Sequence, residues 1–123
     1  MNQRVRYTVN NVSNNRFYQM PKFLFEGEFK TLSNNARILY SILRDRHDRS
    51  LQNRWINEQN EVYLIYTRKN MEEMLGLADK TVKKAVEQLK EFGLIEEEQI
   101  GLNMANRIYL TDIENTGVVN STT

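Results

Sequence analysis

The chain has 123 residues, 40% hydrophobic and 27% charged, with a net charge of +1 and a pI near 8.0. That is the size of one domain, long enough to bury roughly 60–70% of its unfolded surface. The absence of cysteine excludes disulfides, thiolate metal sites and cysteine nucleophiles, and suits a reducing cytoplasm. No apolar run approaches the ~18 residues needed to cross a bilayer, and "MNQRVRYTVNN" lacks the apolar centre of a signal peptide.

The pI falls short of the ~9 that announces a nucleic-acid binder by composition, but the charge is unevenly placed. Residues 1–25 hold Arg4, Arg6, Arg16 and Lys22 with no acid. Residues 94–123 hold Glu96, Glu97, Glu98, Asp112 and Glu114 against Arg107 alone. Such segregation suits a molecule with a binding side and a solvated side.

In chain order, residues 1–16 are polar, rich in asparagine and without period, and predict a mobile basic arm. "RFYQMPKFLFE" surrounds the only proline, Pro21, and predicts extended chain that lays its aromatics on the core. Ser33 is a good N-cap for a first helix. Ala36, Leu39, Tyr40 and Leu43 follow at i, i+3, i+4 and i+7, with Ile38 and Ile42 widening the buried face, and the helix ends near "RDRHDRS". "RWINEQNEVYLIY" predicts a β-hairpin whose apolar run 62–66 is a strand covered on both sides. Thr67 can cap a short second helix with Met71, Met74 and Leu75 on one face, stopped by Gly76.

Gly76, Leu77 and Ala78 separate it from a third helix that Asp79 would cap. Val82, Ala85, Val86, Leu89 and Phe92 form the apolar stripe, and Gly93 closes it. "GLIEEEQI" and "NRIYLTD" are then two short strands joined around Gly101, before the polar tail "ENTGVVNSTT". Helix, strand, short helix, three-residue turn, longer helix, hairpin is the succession of an α+β winged helix-turn-helix with three main helices. The domain is expected over residues 17–112, between the arm and a tail at 113–123.

The third helix carries the chemistry. Its stripe faces inward, which leaves Lys80, Thr81, Lys83, Lys84 and Gln88 outside. Lysine at a helix N-terminus opposes the macrodipole, so an ordinary solvated helix would place acids there first. A half-helix that meets phosphates and base edges wants cations regardless; Thr81 and Gln88 suit base edges and the lysines suit phosphates. Arg68 and Lys69, and Asn103, Asn106 and Arg107 of the wing, are secondary contacts. Arg4, Arg6 and Arg16 could reach a minor groove, or the arm could be exchanged with a partner subunit.

Other chemistry finds no constellation. His47 is a lone histidine beside Arg46 and Asp48, and one histidine without cysteine does not make a zinc site, so no metal or cofactor is expected. Glu72 and Glu73 have no nucleophile pattern beside them, and no phosphate-cradling glycine loop exists, so an enzyme is not expected.

The segment from "FYQMPKFLFEGEFKTLSNNARILY" through Trp55-Ile56 and "VYLIYT", with "KTVKKAVEQLKEFGLIEEEQIGLNMANRIYLTD", resembles the N-terminal domain of RepA_N-type plasmid replication initiators over about residues 17–112. The resemblance implies a winged helix that binds repeated duplex DNA sites in a plasmid origin, usually as a dimer. It also implies a separate C-terminal domain that recruits host replication proteins, with residues 113–123 beginning the linker. The wing tip "QIGLNMANR" departs from a phosphate-gripping wing: it lacks lysine and carries Leu102 and Met104. With Phe17 and Tyr18, these mark where a dimer interface would lie. Two other functions fit the same fold: a winged-helix transcription regulator, and a protein-interaction module like that of primosome adaptors.

Overall fold

The computed structural model describes residues 3–11 and 13–115 of the chain. Three helices, α1 (Asn34–Gln52), α2 (Arg68–Leu75) and α3 (Asp79–Glu91), precede a two-stranded antiparallel sheet of β1 (Ile95–Glu98) and β2 (Arg107–Leu110). This is the expected α+β winged helix. Most of the tail expected at 113–123 lies outside the described residues.

The aromatic segment departs from the extended chain expected of it. Pro21, at φ −60° and ψ 141°, opens a 3-10 turn at Lys22–Phe25, and Gly27, at φ 54°, lets a second follow at Gly27–Thr31. The two turns set Leu24 and Phe29 into the core and leave Phe17, Tyr18 and Phe25 exposed. Arg37 of α1 locks them in place. Although only 8% exposed, it has no carboxylate partner among the described residues; it donates through Nε to the Leu24 carbonyl at 2.8 Å and through one terminal nitrogen to those of Phe29 and Lys30 at 3.3 and 3.0 Å. A planar guanidinium can reach three carbonyls at once, which is why arginine and not lysine fits here.

Ser33 caps α1, its Oγ accepting from the Ala36 amide at 3.1 Å. Ala36, Leu39, Tyr40, Ile42 and Leu43 are buried as the period predicts, whereas Ile38 is exposed, one step outside the stripe. The helix also runs further than expected, through the charged cluster to Gln52. Arginine and aspartate form helix adequately, Arg49 pairs with Asp45 four residues earlier at 3.5 Å, and no breaker intervenes before Arg54 at φ 61°.

Residues 55–66 form a hairpin reduced to one bridge, Ile56 to Val62, while Leu64 bridges Ile108 of β2. Asn57 Oδ1 accepts from the Gln59 and Glu61 amides, both at 2.9 Å, and Asn60 takes φ 65°. The run 62–66 is covered on one side only. Leu64 and Tyr66 are buried, whereas Ile65 is exposed, so the second cover expected from its composition is missing.

Thr67 and Asn70 cap α2 reciprocally: Thr67 Oγ1 accepts from the Asn70 amide at 3.0 Å and Asn70 Oδ1 from the Thr67 amide at 3.2 Å. Met71 is fully buried, but Met74 is half exposed, so the predicted apolar face is narrower. Gly76 ends α2 at φ 65° in the left-handed region that favours glycine. The α2–α3 turn is the three residues expected. The cap of α3 is Ala78, not Asp79, which instead opens the helix where its carboxylate faces the positive end of the dipole.

Candidate nucleic-acid interface

α3 lies across the core with Val82, Ala85, Val86 and Leu89 buried against α1 and α2. At 3.6 residues per turn the rest of the helix divides into a crest and two rims. Lys80, Lys84 and Glu91 fall on the crest. Lys83, Glu87 and Lys90, spaced i, i+4, i+7, share the rim towards the wing; Thr81 and Gln88, spaced i, i+7, edge the rim towards the start of α1. Lys80, Lys83 and Lys84 are exposed, and among the described residues none has an ion-pair or hydrogen-bond partner. Three exposed ammonium groups against the single carboxylate of Asp79 leave the first two turns locally positive despite the near-zero net charge.

Gln88 does not project freely as expected. It is half-buried, and its Oε1 accepts from the Ser33 amide at 2.8 Å, tying α3 to the first residue before α1.

Arg68 is likewise occupied. Its two terminal nitrogens grip the two oxygens of Glu97, each at 2.9 Å, and Lys90 Nζ adds a third contact at 3.3 Å. The Glu97 side chain is 8% exposed. Burial pushes its carboxyl up, but the bonds and charge of Arg68, reinforced by Lys90, outweigh that and hold it below its ordinary value. One buried carboxylate thus fastens the first strand of the wing to α2 and α3. Arg68 is therefore a structural cation and not a free contact. The strand period carried the signal: Ile95 and Glu97 share a face of β1, where Glu97 sits opposite the buried Ile108.

The wing presents Leu102, Asn103, Met104 and Asn106 to solvent, with Asn103 at φ 62°. Arg107 is set back from the tip, its guanidinium 4.2 Å over the Tyr63 ring, which stacks in turn near Trp55. Lys69 is exposed and unpaired among the described residues. Arg4, Arg6 and Arg16 stand on exposed chain. The structure therefore groups Lys80, Thr81, Lys83 and Lys84 on one helix, removes Arg68, and turns Gln88 inward on one side. Among the described residues His47 joins no metal-ligating cluster; burial lowers its pKa, Asp48 opposing and Arg44 assisting.

A family model described as the N-terminus of replication initiator protein A (RepA) matches residues 16–121. The chain is 30% identical over 116 residues to a 41 kDa protein of Lactobacillus helveticus, covering 89% of this chain and 33% of that one. It therefore spans about a third of that relative's length. Among solved structures, an N-terminal domain of a DNA binding protein superposes with a TM-score of 0.73 at 35% identity, over 89% of this chain and 85% of the other. A Rep–DNA complex does so at 0.72 and 35% identity, over 87% and 83%. An MDR initiator does so at 0.71 and 31%, over 96% and 98%. The chain belongs to the family of replication initiator protein A N-terminal domains.

Proposed function

We propose that this domain binds repeated duplex DNA sites in a plasmid origin and so begins replication, with α3 as the recognition helix. The observation that carries the reading is the unpaired trio Lys80, Lys83 and Lys84 on the exposed first half of α3. Its support is the family, one of whose solved relatives is a Rep–DNA complex. Thr81 is half-buried on the rim towards the start of α1, so its short hydroxyl meets the groove wall and not a base edge. The domain acts by binding and carries no catalysis. Its partners are the duplex, a second copy of the chain, and host replication proteins met through a further domain, all within the cytoplasm. A basic arm at 1–16 and a linker from 113 flank the folded unit. The arm's Arg4, Arg6 and Arg16, together with Lys69, Asn103, Asn106 and Arg107, are secondary contacts. A transcription regulator would read its operator with the same helix. Footprinting on the DNA around the coding gene separates the two: protection of tandem repeats supports an initiator, and protection of a single promoter-proximal site counts against it.

A second reading rests on the wing. Leu102 is 88% exposed and Met104 60%, and the outer face behind them carries Glu96 and Glu98. An apolar, acid-backed tip suits a protein surface better than a phosphate, so the wing, with Phe17 and Tyr18, is where self-association is placed. Sedimentation of the Leu102→Lys/Met104→Lys variant tests it. Loss of the dimer is expected; an unchanged dimer contradicts the placement.

A further inference from the structure

The carboxamide of Gln88 offers a sharper statement about how α3 meets DNA. A glutamine recognises adenine by using both ends of its amide, the oxygen accepting from N6 and the nitrogen donating to N7. Here the oxygen is already engaged. The partner is the Ser33 N–H, a donor only, so the atom 2.8 Å away must be Oε1 and the amide orientation is fixed by chemistry. What remains is Nε2, two N–H donors with no acceptor among the described residues. A donor-only group cannot make the adenine pair. It can meet an oxygen.

Position selects which oxygen. Gln88 is on the rim of α3, not on the crest with Lys80 and Lys84, and its side chain is held back against the residue that caps α1. The crest of a helix in the major groove faces the groove floor, from which long lysines can still reach back to phosphate, whereas a side chain held back on a rim lies at the groove wall, which is phosphate. The rim holding Thr81 and Gln88 has no acid, whereas the opposite rim holds Glu87 and abuts Glu97. We infer that Gln88 is a phosphate contact, its Nε2 meeting the DNA backbone at the groove wall, and that it contributes affinity without reading sequence. The inference rests on the recognition-helix reading above.

The test titrates variants against a duplex carrying the protected repeat and a shuffled duplex of the same length, well below each variant's melting temperature. Gln88→Met, which keeps the shape and removes the amide, should lose roughly 10-fold on both duplexes with their ratio unchanged. Gln88→Glu, which keeps an acceptor for Ser33, should melt closer to the parent than Gln88→Met does. A loss confined to the repeat duplex, no loss on either, or equal destabilisation by both substitutions overturns the inference. Unchanged binding by the Lys80→Ala/Lys84→Ala double variant instead overturns the recognition-helix reading itself, so the two failures are distinguishable.

Discussion

Arg37 shows how much of the fold can hang on one side chain that its residue type would place at the surface. Its guanidinium supplies hydrogens to three backbone carbonyls from two 3-10 turns and to Asn34 Oδ1 at 2.8 Å, and lies 4.3 Å over the Phe25 ring. Arg37→Met should cost about 2–4 kcal/mol in denaturant unfolding, because the buried Leu24 carbonyl and that of Lys30 would lose their donor, while that of Phe29 keeps the Leu32 amide. Arg37→Lys should recover little of that, since one ammonium cannot span the three oxygens. Glu97 makes the corresponding case for the wing. Glu97→Gln should cost about 1–3 kcal/mol, less than a fully buried pair because Arg68 and Lys90 are partly exposed. Its pH dependence has a defined sign. The folded carboxyl lies below its ordinary 4.5, so its contribution is complete above that value and is lost as pH falls through the folded value. The melting gap between the parent and Glu97→Gln should hold steady from about pH 6 to 8 and narrow below about pH 4. A gap that widens in acid contradicts the assignment.

At the scale of elements, the parts the sequence made legible are those set by local chemistry. Ser33 and Thr67 cap where expected, the α3 stripe is buried where its period places it, and Gly76 ends α2. Gly76→Ala should cost about 1 kcal/mol, since no atom lies within 4 Å of the added methyl and only the φ of 65° opposes it. Gly76→Asn should cost less, as asparagine tolerates that region. Equal melting temperatures for all three proteins would contradict a left-handed turn there. What stayed illegible was set by neighbours distant in sequence. The engagement of Gln88 depends on Ser33, 55 residues away, and that of Arg68 on Glu97, 29 residues away. Composition also could not show that the run 62–66 lacks a second cover, because a strand's outer face is decided by what else packs there. The turns that open at Pro21 and Gly27 were illegible too, read as extended chain, because the carbonyls they turn inward are met by Arg37 of α1.

For the whole molecule, the near-neutral net charge conceals a division of labour. Acids gather at the wing, where Glu97 is consumed in holding the fold, and the unpaired lysines gather at the start of α3. Binding should therefore be strongly salt-dependent for a chain of net charge +1. The most direct test is a titration of the Lys80→Ala/Lys83→Ala/Lys84→Ala variant against the repeat duplex across a salt series, with thermal melting as the folding control. The substituted side chains are exposed, so melting should be nearly unchanged. Each lost phosphate contact lowers the slope of log affinity against log salt by about 0.9, so the variant should bind more weakly and with a shallower slope by about 2–3. Parental affinity and slope in a folded variant would contradict α3 as the surface that meets DNA.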